Sequence, residues 1–230
     1  MQASEPKAAV RVGGRPMAVR VAEALRGAGA SRIVAVVGHR AADVRVAIGD
    51  GVEYVIQRQQ LGTGHAARCA QSALAEYHGP VMIAYADIPL LCKRDIARLL
   101  TRHLEVRPAA TLLTALFDEP GTLGRIIRGQ DGRVEAIVEA GDASEEQLRI
   151  KEINVGVYCF SAPLIFDILG ELTDDNEQRQ YYLTDAIGIL ARRGQRVEAV
   201  AMESAENGIG VDTVEDLARA RELWTLGETL

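Results

Sequence analysis

The chain has 230 residues, enough for one sizeable hydrophobic core without a second domain. Apolar residues make up 48% of it and charged residues 25%, proportions typical of a globular protein, and the net charge is −6. This negative charge weighs against a nucleic-acid-binding surface and says little about small ligands. No apolar run reaches the roughly 20 residues of a membrane span, and the start lacks the apolar region of a signal peptide. We therefore expect a cytoplasmic protein that binds neither nucleic acid nor membrane.

The cysteine content argues against thiol chemistry. Cys69, Cys92 and Cys159 are scattered, with no Cys-x-x-Cys pair. Because Cys69 and Cys159 lie in apolar runs, we interpret them as buried thiols of a reducing compartment. Nothing in the sequence resembles a Ser–His–Asp arrangement or the ligand spacing of a zinc site.

The first half of the chain alternates predicted strands and helices. Residues 1–14 contain a glycine pair but no convincing opening strand. In chain order the patterns then predict a helix at 17–26, a strand at 31–37, a helix at 41–48, a strand at 51–56, a helix at 66–74 and a strand at 81–85. Alternation of this kind is typical of a parallel sheet covered by helices, in which ligands bind beyond the carboxyl ends of the strands.

The second half predicts a mixed pairing of strands. In chain order we predict a helix at 95–103, a strand at 109–116, a hairpin of 125–128 and 134–139, a strand at 153–160, helices at 161–169 and 183–193, a strand at 196–202 and a helix at 213–224. Thr184 or Asp185 would cap the second of these helices, and Asp212 or Thr213 the last. The predicted fold class is α/β, a Rossmann-like, mixed and mostly parallel sheet with helices on both faces, in one domain spanning residues 1–230.

A glycine-bearing turn follows the strand that ends at Ile56, in the sequence QRQQLGTGHA of residues 57–66. Gly62 permits close backbone approach, Thr63 adds a hydroxyl, and Gln57 and Gln60 carry amides that both donate and accept. Free N–H groups at the start of the next helix favour acceptors and anions. The turn is therefore a candidate site for the edge of a nucleobase. An ordinary strand–loop–helix turn remains the alternative reading.

Two aspartates follow predicted strands. Asp87 lies in Tyr-Ala-Asp-Ile-Pro-Leu after the strand at 81–85, and Asp212 follows the strand at 196–202. Because Mg²⁺ takes one or two carboxylates together with substrate phosphates, a converging pair would suit phosphoryl or nucleotidyl transfer. Alternatively, Asp87 sets a turn before Pro89 and Asp212 caps a helix.

Four further polar residues are candidates with weaker signals. Lys7 and Arg15 flank the glycine pair and could contact phosphate, or they could be solvated surface charge. Glu139 and Asn154 lie at strand ends, where a carboxylate could accept from sugar hydroxyls and an amide could bridge a hydroxyl and a phosphate. Polarity at the end of a hairpin is the alternative for both.

Together these segments form an ordered set. The motifs are QQLGTGHA at 59–66, YADIPL at 85–90, GRI at 124–126, IVE at 137–139, EINVG at 152–156 and YYLTD at 181–185. The set resembles the uridylyltransferase (pyrophosphorylase) domain of the bifunctional N-acetylglucosamine-1-phosphate uridylyltransferase/glucosamine-1-phosphate acetyltransferase family, within the sugar-nucleotide transferase superfamily. The resemblance covers almost the whole chain.

The resemblance implies a reaction and roles for the candidate residues. The family converts UTP and N-acetylglucosamine 1-phosphate to UDP-N-acetylglucosamine and pyrophosphate with Mg²⁺. By that likeness the substrates are UTP and an amino-sugar 1-phosphate, and self-association into a homo-oligomer stays open. Its implied site residues are Gln57, Gln60, Gly62 and Thr63 for the nucleotide, Tyr85, Gly124, Glu139 and Asn154 for the sugar, Asp87 and Asp212 for the metal, and Lys7 with Asp87 for catalysis.

The sequence also departs from the family pattern. The family opens with a strand and a glycine-rich triphosphate loop, roughly LAAGxGTRM, and carries a hexapeptide-repeat acetyltransferase half, and we find neither motif here. Without the opening strand, sheet edges and apolar faces would be exposed. Asp212 replaces the usual asparagine, and Gly141 stands where a lysine often follows the glutamate. The alternative function is therefore a catalytically impaired or truncated relative that binds a UDP-sugar or uridine nucleotide without turnover.

Overall fold

The structure is a computed structural model that describes residues 5–228. Residues 1–4 and 229–230, the two ends of the predicted domain and part of the predicted irregular start, lie outside the described residues. None of the helices in the described part of the chain is long and apolar enough to cross a membrane.

Helices and strands alternate through most of the chain, as predicted. The helices are α1 (Met17–Gly27), α2 (Ala41–Ile48), α3 (Thr63–Cys69), α4 (Lys93–Val106), α5 (Glu145–Leu148), α6 (Leu164–Leu169), α7 (Asp185–Arg192) and α8 (Val214–Glu228). The strands are β1 (Arg11–Val12), β2 (Arg15–Pro16), β3 (Val34–Val37), β4 (Glu53–Ile56), β5 (Pro80–Ala84), β6 (Ala110–Leu116), β7 (Arg125–Arg128), β8 (Val134–Val138), β9 (Glu152–Ser161) and β10 (Val197–Ala201). Short 3₁₀ turns occur at Lys7–Ala9, Gln71–Leu74 and Ala205–Gly208.

Three short elements differ from the prediction: helix α3, helix α5 and the opening hairpin. The helix predicted at 66–74 begins earlier, at Thr63, and is followed by a separate 3₁₀ turn. Helix α5 was not predicted, because its single turn depends on a capping box rather than on an apolar stripe: Ser144 accepts from the Gln147 amide while Gln147 bonds back to Ser144. The opening hairpin of β1 and β2 was missed because each strand has two residues.

The long strand β9 organises the main sheet. Along one edge it pairs antiparallel with β6, and along the other with β5 and, at Ile153, with β7. Strand β10 extends the sheet beyond β6 in parallel, and β8 forms the predicted hairpin with β7. Almost every residue of β9 is buried, since helices cover both faces. The predicted α/β class with a mixed sheet is confirmed.

Apolar side chains form one layer on each face of this sheet. On one face, α3, α6 and α7 pack against Tyr158 and Phe160 of β9. On the other, α1 and α4 pack against Val155 and Val157. Because successive side chains of a strand point to opposite faces, one strand supplies both layers. A smaller cluster joins the opening hairpin to α8.

The strands of the first predicted βαβαβ unit, β3, β4 and β5, do not lie in one sheet. Strands β3 and β4 pair in parallel as a separate two-stranded sheet. Within residues 5–228, no strand pairs with the second edge of β3 or of β5. Between these two strands lies a cleft of about 430 Å³, lined largely by apolar residues of α1, β3, α3 and β5. Two strand edges and apolar side chains therefore lie at this cleft.

The cleft predicts an unusual tolerance of a larger side chain. Ala22 of α1 lines it, whereas Ala220 of α8 is enclosed in the cluster beside the opening hairpin. We expect Ala220→Phe to lower the free energy of unfolding by about 1–3 kcal/mol, the usual cost of overpacking. Ala22→Phe should cost much less, because its ring has space to enter. Urea unfolding of both variants measures the difference. Equal losses would show that the cleft is closed in solution.

Candidate functional site

Three charged residues far apart in the sequence meet at one point. The Nζ of Lys7 donates to Oδ2 of Asp87 at 2.5 Å and to Oδ1 of Asp212 at 2.6 Å. Burial acts to lower the pKa of Lys7, but Asp87 and Asp212 outweigh it, so the pKa is raised and the ammonium form is favoured. Two carboxylates thus converge on one cation.

Hydrogen bonds hold the backbone that carries these carboxylates. The amide of Val211 donates to the carbonyl oxygen of Asp87 at 2.9 Å, which joins the segment after β5 to the segment before α8. Asp216 of α8 accepts from the amides of Asp212 and Thr213, and Thr213 accepts in return from the Asp216 amide. Thr213, rather than Asp212, therefore caps α8, which leaves the Asp212 carboxylate to Lys7.

The glycine turn is held against a segment distant in sequence. Leu61 accepts from the amide of Tyr181 at 2.8 Å, and the amide of Gly64 donates back to Tyr181 at 2.8 Å. Gly62 has φ of +110°, and a Cβ there would lie 2.5 Å from the Tyr181 carbonyl oxygen. Only glycine fits this approach. The amide of Gly64 is consequently satisfied by protein rather than free for a ligand, which corrects the reading of the turn as open.

The polar side chains of the turn also have protein partners. Gln57 is buried, and its Nε2 lies 3.0 Å from the Gly62 carbonyl oxygen and 2.9 Å from Nδ1 of His65. The Thr63 hydroxyl accepts from the amide of Leu183 at 3.0 Å. The Gln60 side chain lies against the backbone of Gly38, the residue after β3. Gln57, Gly62 and Thr63 therefore share one rigid turn, and the Gln60 side chain of the same segment packs at the end of β3.

Three of the predicted sugar residues are neighbours. The backbone amide of Asn154 donates to the Gly124 carbonyl oxygen at 2.9 Å. A Cβ on Gly124 would lie 3.2 Å from Oε2 of Glu139, so the carboxylate rests against this glycine. Oε1 of Glu139 accepts from the Thr184 hydroxyl at 2.9 Å. Burial raises the pKa of Glu139.

Tyr85 connects the charged and polar parts of the site. Its ring lies edge-on to Tyr158, with 6.2 Å between centroids, and its hydroxyl interacts with Thr63 and Tyr158. Tyr158 in turn accepts from Nδ2 of Asn154 at 2.7 Å. Desolvation raises the pKa of Tyr85 to about 12, and the charges of Glu139 and Asp87 both act on it. The hydroxyl therefore stays protonated and available to donate.

Sequence reasoning missed two residues of this network and placed one wrongly. Thr184 was read as a helix cap, but its hydroxyl makes no capping bond and holds Glu139 instead. Tyr158 was read only as part of a strand, although its spacing of four residues from Asn154 puts both on one face. Arg15 pairs with Glu23 rather than joining Lys7. Grouping the polar residues of β9 by face would have found Tyr158.

The fold defines a class of proteins. The structure is similar to that of UDP-glucose pyrophosphorylase complexed with UDP-glucose, with a TM-score of 0.76, 18% identity, and coverage of 96% of this chain and 91% of that one. The apo form matches with a TM-score of 0.75. At this identity the likeness shows the fold, which is that of nucleotide-sugar transferases.

The family follows from the sequence comparison. The chain belongs to the family of the MobA-like NTP transferase domain, whose pattern matches residues 1–182. It is 40% identical over 220 residues to the bifunctional protein GlmU of Acetivibrio thermocellus, and 42% identical over 225 residues to that of Syntrophotalea carbinolica. These matches cover 96% and 97% of this chain and 48% of each relative, so the chain spans about half their length. The resemblance found in the motifs is confirmed.

The turn predicts a position-specific cost for an added methyl group. Gly62 and Gly132 both have positive φ, but a Cβ on Gly132 meets nothing within 4 Å. We expect Gly132→Ala to cost about 1 kcal/mol of unfolding free energy from backbone strain alone. Gly62→Ala should cost about 1–3 kcal/mol more, because its methyl group collides with Tyr181. Urea unfolding compares them, and equal costs would contradict the close approach.

The buried carboxylate predicts a pH-dependent change in stability. Because burial raises the folded-state pKa of Glu139, its contribution to stability falls as the pH rises from the unfolded pKa through the folded one. Glu139→Gln should therefore raise the free energy of unfolding at pH 7, and the gain should vanish below about pH 4. Exposed Glu135→Gln on β8 is the control and should change nothing. If Glu139→Gln raised the free energy of unfolding equally at all pH values, the raised pKa of Glu139 would be contradicted.

Proposed function

We propose that this chain catalyses nucleotidyl transfer from UTP to N-acetylglucosamine 1-phosphate, forming UDP-N-acetylglucosamine and pyrophosphate. The observation that carries the proposal is the packing of Tyr85, which lies two residues before Asp87 and sets its ring edge-on against Tyr158, the residue that accepts from Asn154. A site of this form can bind phosphates at one end and a neutral sugar at the other. The identity to GlmU proteins supports the same substrates.

The nucleobase would bind at the glycine turn. Main-chain bonds join Leu61 and Gly64, on either side of the turn, to Tyr181, and the Thr63 hydroxyl accepts from the Leu183 amide, so the turn presents a rigid backbone edge. Gln57 is buried beneath it and keeps the turn in shape through the Gly62 carbonyl oxygen. Such preorganisation lowers the ordering cost of binding a flat ring.

The amino sugar would bind between Gly124, Glu139 and Asn154. The carboxylate of Glu139 accepts hydrogen bonds from sugar hydroxyls, and Thr184 keeps it oriented. The absence of a side chain at Gly124 lets that carboxylate approach the backbone closely, since a Cβ there would lie 3.2 Å from Oε2 of Glu139. Asn154 is held through Tyr158, so its amide faces one direction.

The charged residues would act on the phosphates. An oxygen of the sugar phosphate forms a bond to the α-phosphorus of UTP, and the bond from that phosphorus to the β-phosphate oxygen breaks, so pyrophosphate leaves. Negative charge accumulates on the phosphate oxygens as this happens. The ammonium group of Lys7, which lies beside Asp87 and Asp212, would offset that charge.

The two aspartates fit a divalent cation. Their oxygens already converge on the ammonium cation of Lys7, and carboxylate oxygens are the ligands that Mg²⁺ prefers. We therefore assign Asp87 and Asp212 as the residues that would hold Mg²⁺. When bound, Mg²⁺ would neutralise phosphate charge and align the triphosphate.

Pyrophosphate release from UTP, N-acetylglucosamine 1-phosphate and Mg²⁺ tests the function. We expect Asp87→Ala to lower turnover by about 10²–10³-fold, the usual effect of losing one electrostatic group. Asp118→Ala is the matched control, because Asp118 is exposed and pairs only with Lys151 among the described residues, and it should leave turnover unchanged. Unaltered turnover in Asp87→Ala would contradict the assignment. UTP binding with no pyrophosphate release from the unaltered chain would contradict catalysis itself.

Thr184 provides a separate test of the sugar subsite. Thr184→Val keeps the shape of the side chain but removes the hydrogen bond to Glu139, so KM for the sugar phosphate should rise about tenfold. The value of kcat should change much less, because the lost contact orients the substrate equally in the ground state and in the transition state. Thr184→Ser retains the hydroxyl and should restore KM. Failure of serine to restore it would show that packing alone is involved.

A further inference from the structure

The ammonium group of Lys7 occupies the point at which a divalent cation would be held. It lies 2.5 Å from a carboxylate oxygen of Asp87 and 2.6 Å from one of Asp212. A metal ion bound by the same two oxygens would need the same space, since Mg²⁺ binds oxygen at about 2.1 Å. Two cations cannot both sit between these carboxylates at such distances.

The Lys7 side chain has room to move away from the two aspartates. The main chain at Asp87 is bonded to Val211, and the main chain at Asp212 is held by Asp216, so the backbone that carries both carboxylates is fixed. The Lys7 side chain has a flexible four-carbon stem and is 36% exposed, so it can turn away without unfolding any element.

We propose that Lys7 and the divalent cation compete for Asp87 and Asp212, so that arrival of the cation releases Lys7 to bind an anionic phosphate. This inference rests on the proposed function for the identity of the metal ligands. In the absence of cation, Lys7 neutralises part of the charge of the carboxylate pair. Cation binding breaks both contacts, and the freed ammonium then has phosphate as its partner. Metal loading and phosphate binding are thereby coupled through one side chain.

The coupling makes a directional prediction for metal affinity. Lys7→Met keeps an unbranched side chain of similar length but removes the competing charge, so Mn²⁺, used alone as the probe, should bind about tenfold more tightly than to the unaltered chain. Lys151→Met is the matched control, because Lys151 also pairs with one aspartate, at 2.8 Å, but away from the site. Its Mn²⁺ affinity should equal that of the unaltered chain. Isothermal titration calorimetry measures all three proteins.

A second measurement separates competition from simple charge repulsion. The chain has three lysines, at positions 7, 93 and 151, so selective ¹³Cε-lysine labelling gives three resonances, and Lys7→Met identifies that of Lys7. Diamagnetic Mg²⁺ should shift the Lys7 resonance toward that of a solvated lysine and leave the other two unchanged. Tighter Mn²⁺ binding in Lys7→Met with an unmoved Lys7 resonance would overturn competition.

The outcomes also distinguish this inference from the proposed function. Equal Mn²⁺ affinity in Lys7→Met and the unaltered chain would overturn the competition while leaving Asp87 and Asp212 as metal ligands. Mn²⁺ binding that is unaffected by Asp87→Asn would overturn the metal assignment, and the competition with it.

Discussion

The buried strand β9 imposes the constraint on which the site depends. A strand covered on both faces has no water to satisfy its amides and carbonyls, so both of its edges must be paired along their length. Strand β6 takes one edge, while β5 and β7 divide the other. This division brings the end of β5, with Tyr85 and Asp87, beside the start of β7, with Gly124. Asn154 lies on β9 itself, between them.

The two halves of the site are connected by hydroxyl groups rather than by charge. Tyr85 interacts with Thr63 of the glycine turn and with Tyr158 of β9, and Tyr158 holds Asn154. One chain of side-chain contacts therefore runs from the glycine turn to Asn154. Gly156 makes this possible, because a Cβ there would lie 2.4 Å from the ring of Tyr85.

The charged half of the site is arranged differently. Lys7, Asp87 and Asp212 come from three segments, and their side chains are partly exposed, so salt and bound ions act on them directly. The cleft between β3 and β5 lies close by, and Ala8 and Ala86, the neighbours of Lys7 and Asp87, line it. The site thus combines a buried, hydrogen-bonded part around Asn154 with a partly exposed charged part beside the cleft.

The local sequence determined a good deal of this protein. Periodicity located α2 and β7 at their observed bounds, and the glycines of the turn at 62–64 marked a sharp backbone approach. The residue types at Asp87, Glu139 and Asn154 pointed to phosphate and sugar chemistry, and the motif order identified the family. These features are local, because they depend on backbone preference and on the chemistry of single side chains.

Only the tertiary structure decided which of these residues meet. Asp87 and Asp212 are brought together by the packing of segments far apart in sequence, with a main-chain bond between Val211 and Asp87 beside them. The Thr184 hydroxyl donates to Glu139, 45 residues away in the sequence, instead of capping its own helix. The family resemblance led us to expect exposed strand edges, but the element pattern did not show that β3 and β5 would lie in separate sheets, since strand pairing is a long-range contact. Partners of this kind are set by packing, which sequence spacing does not encode.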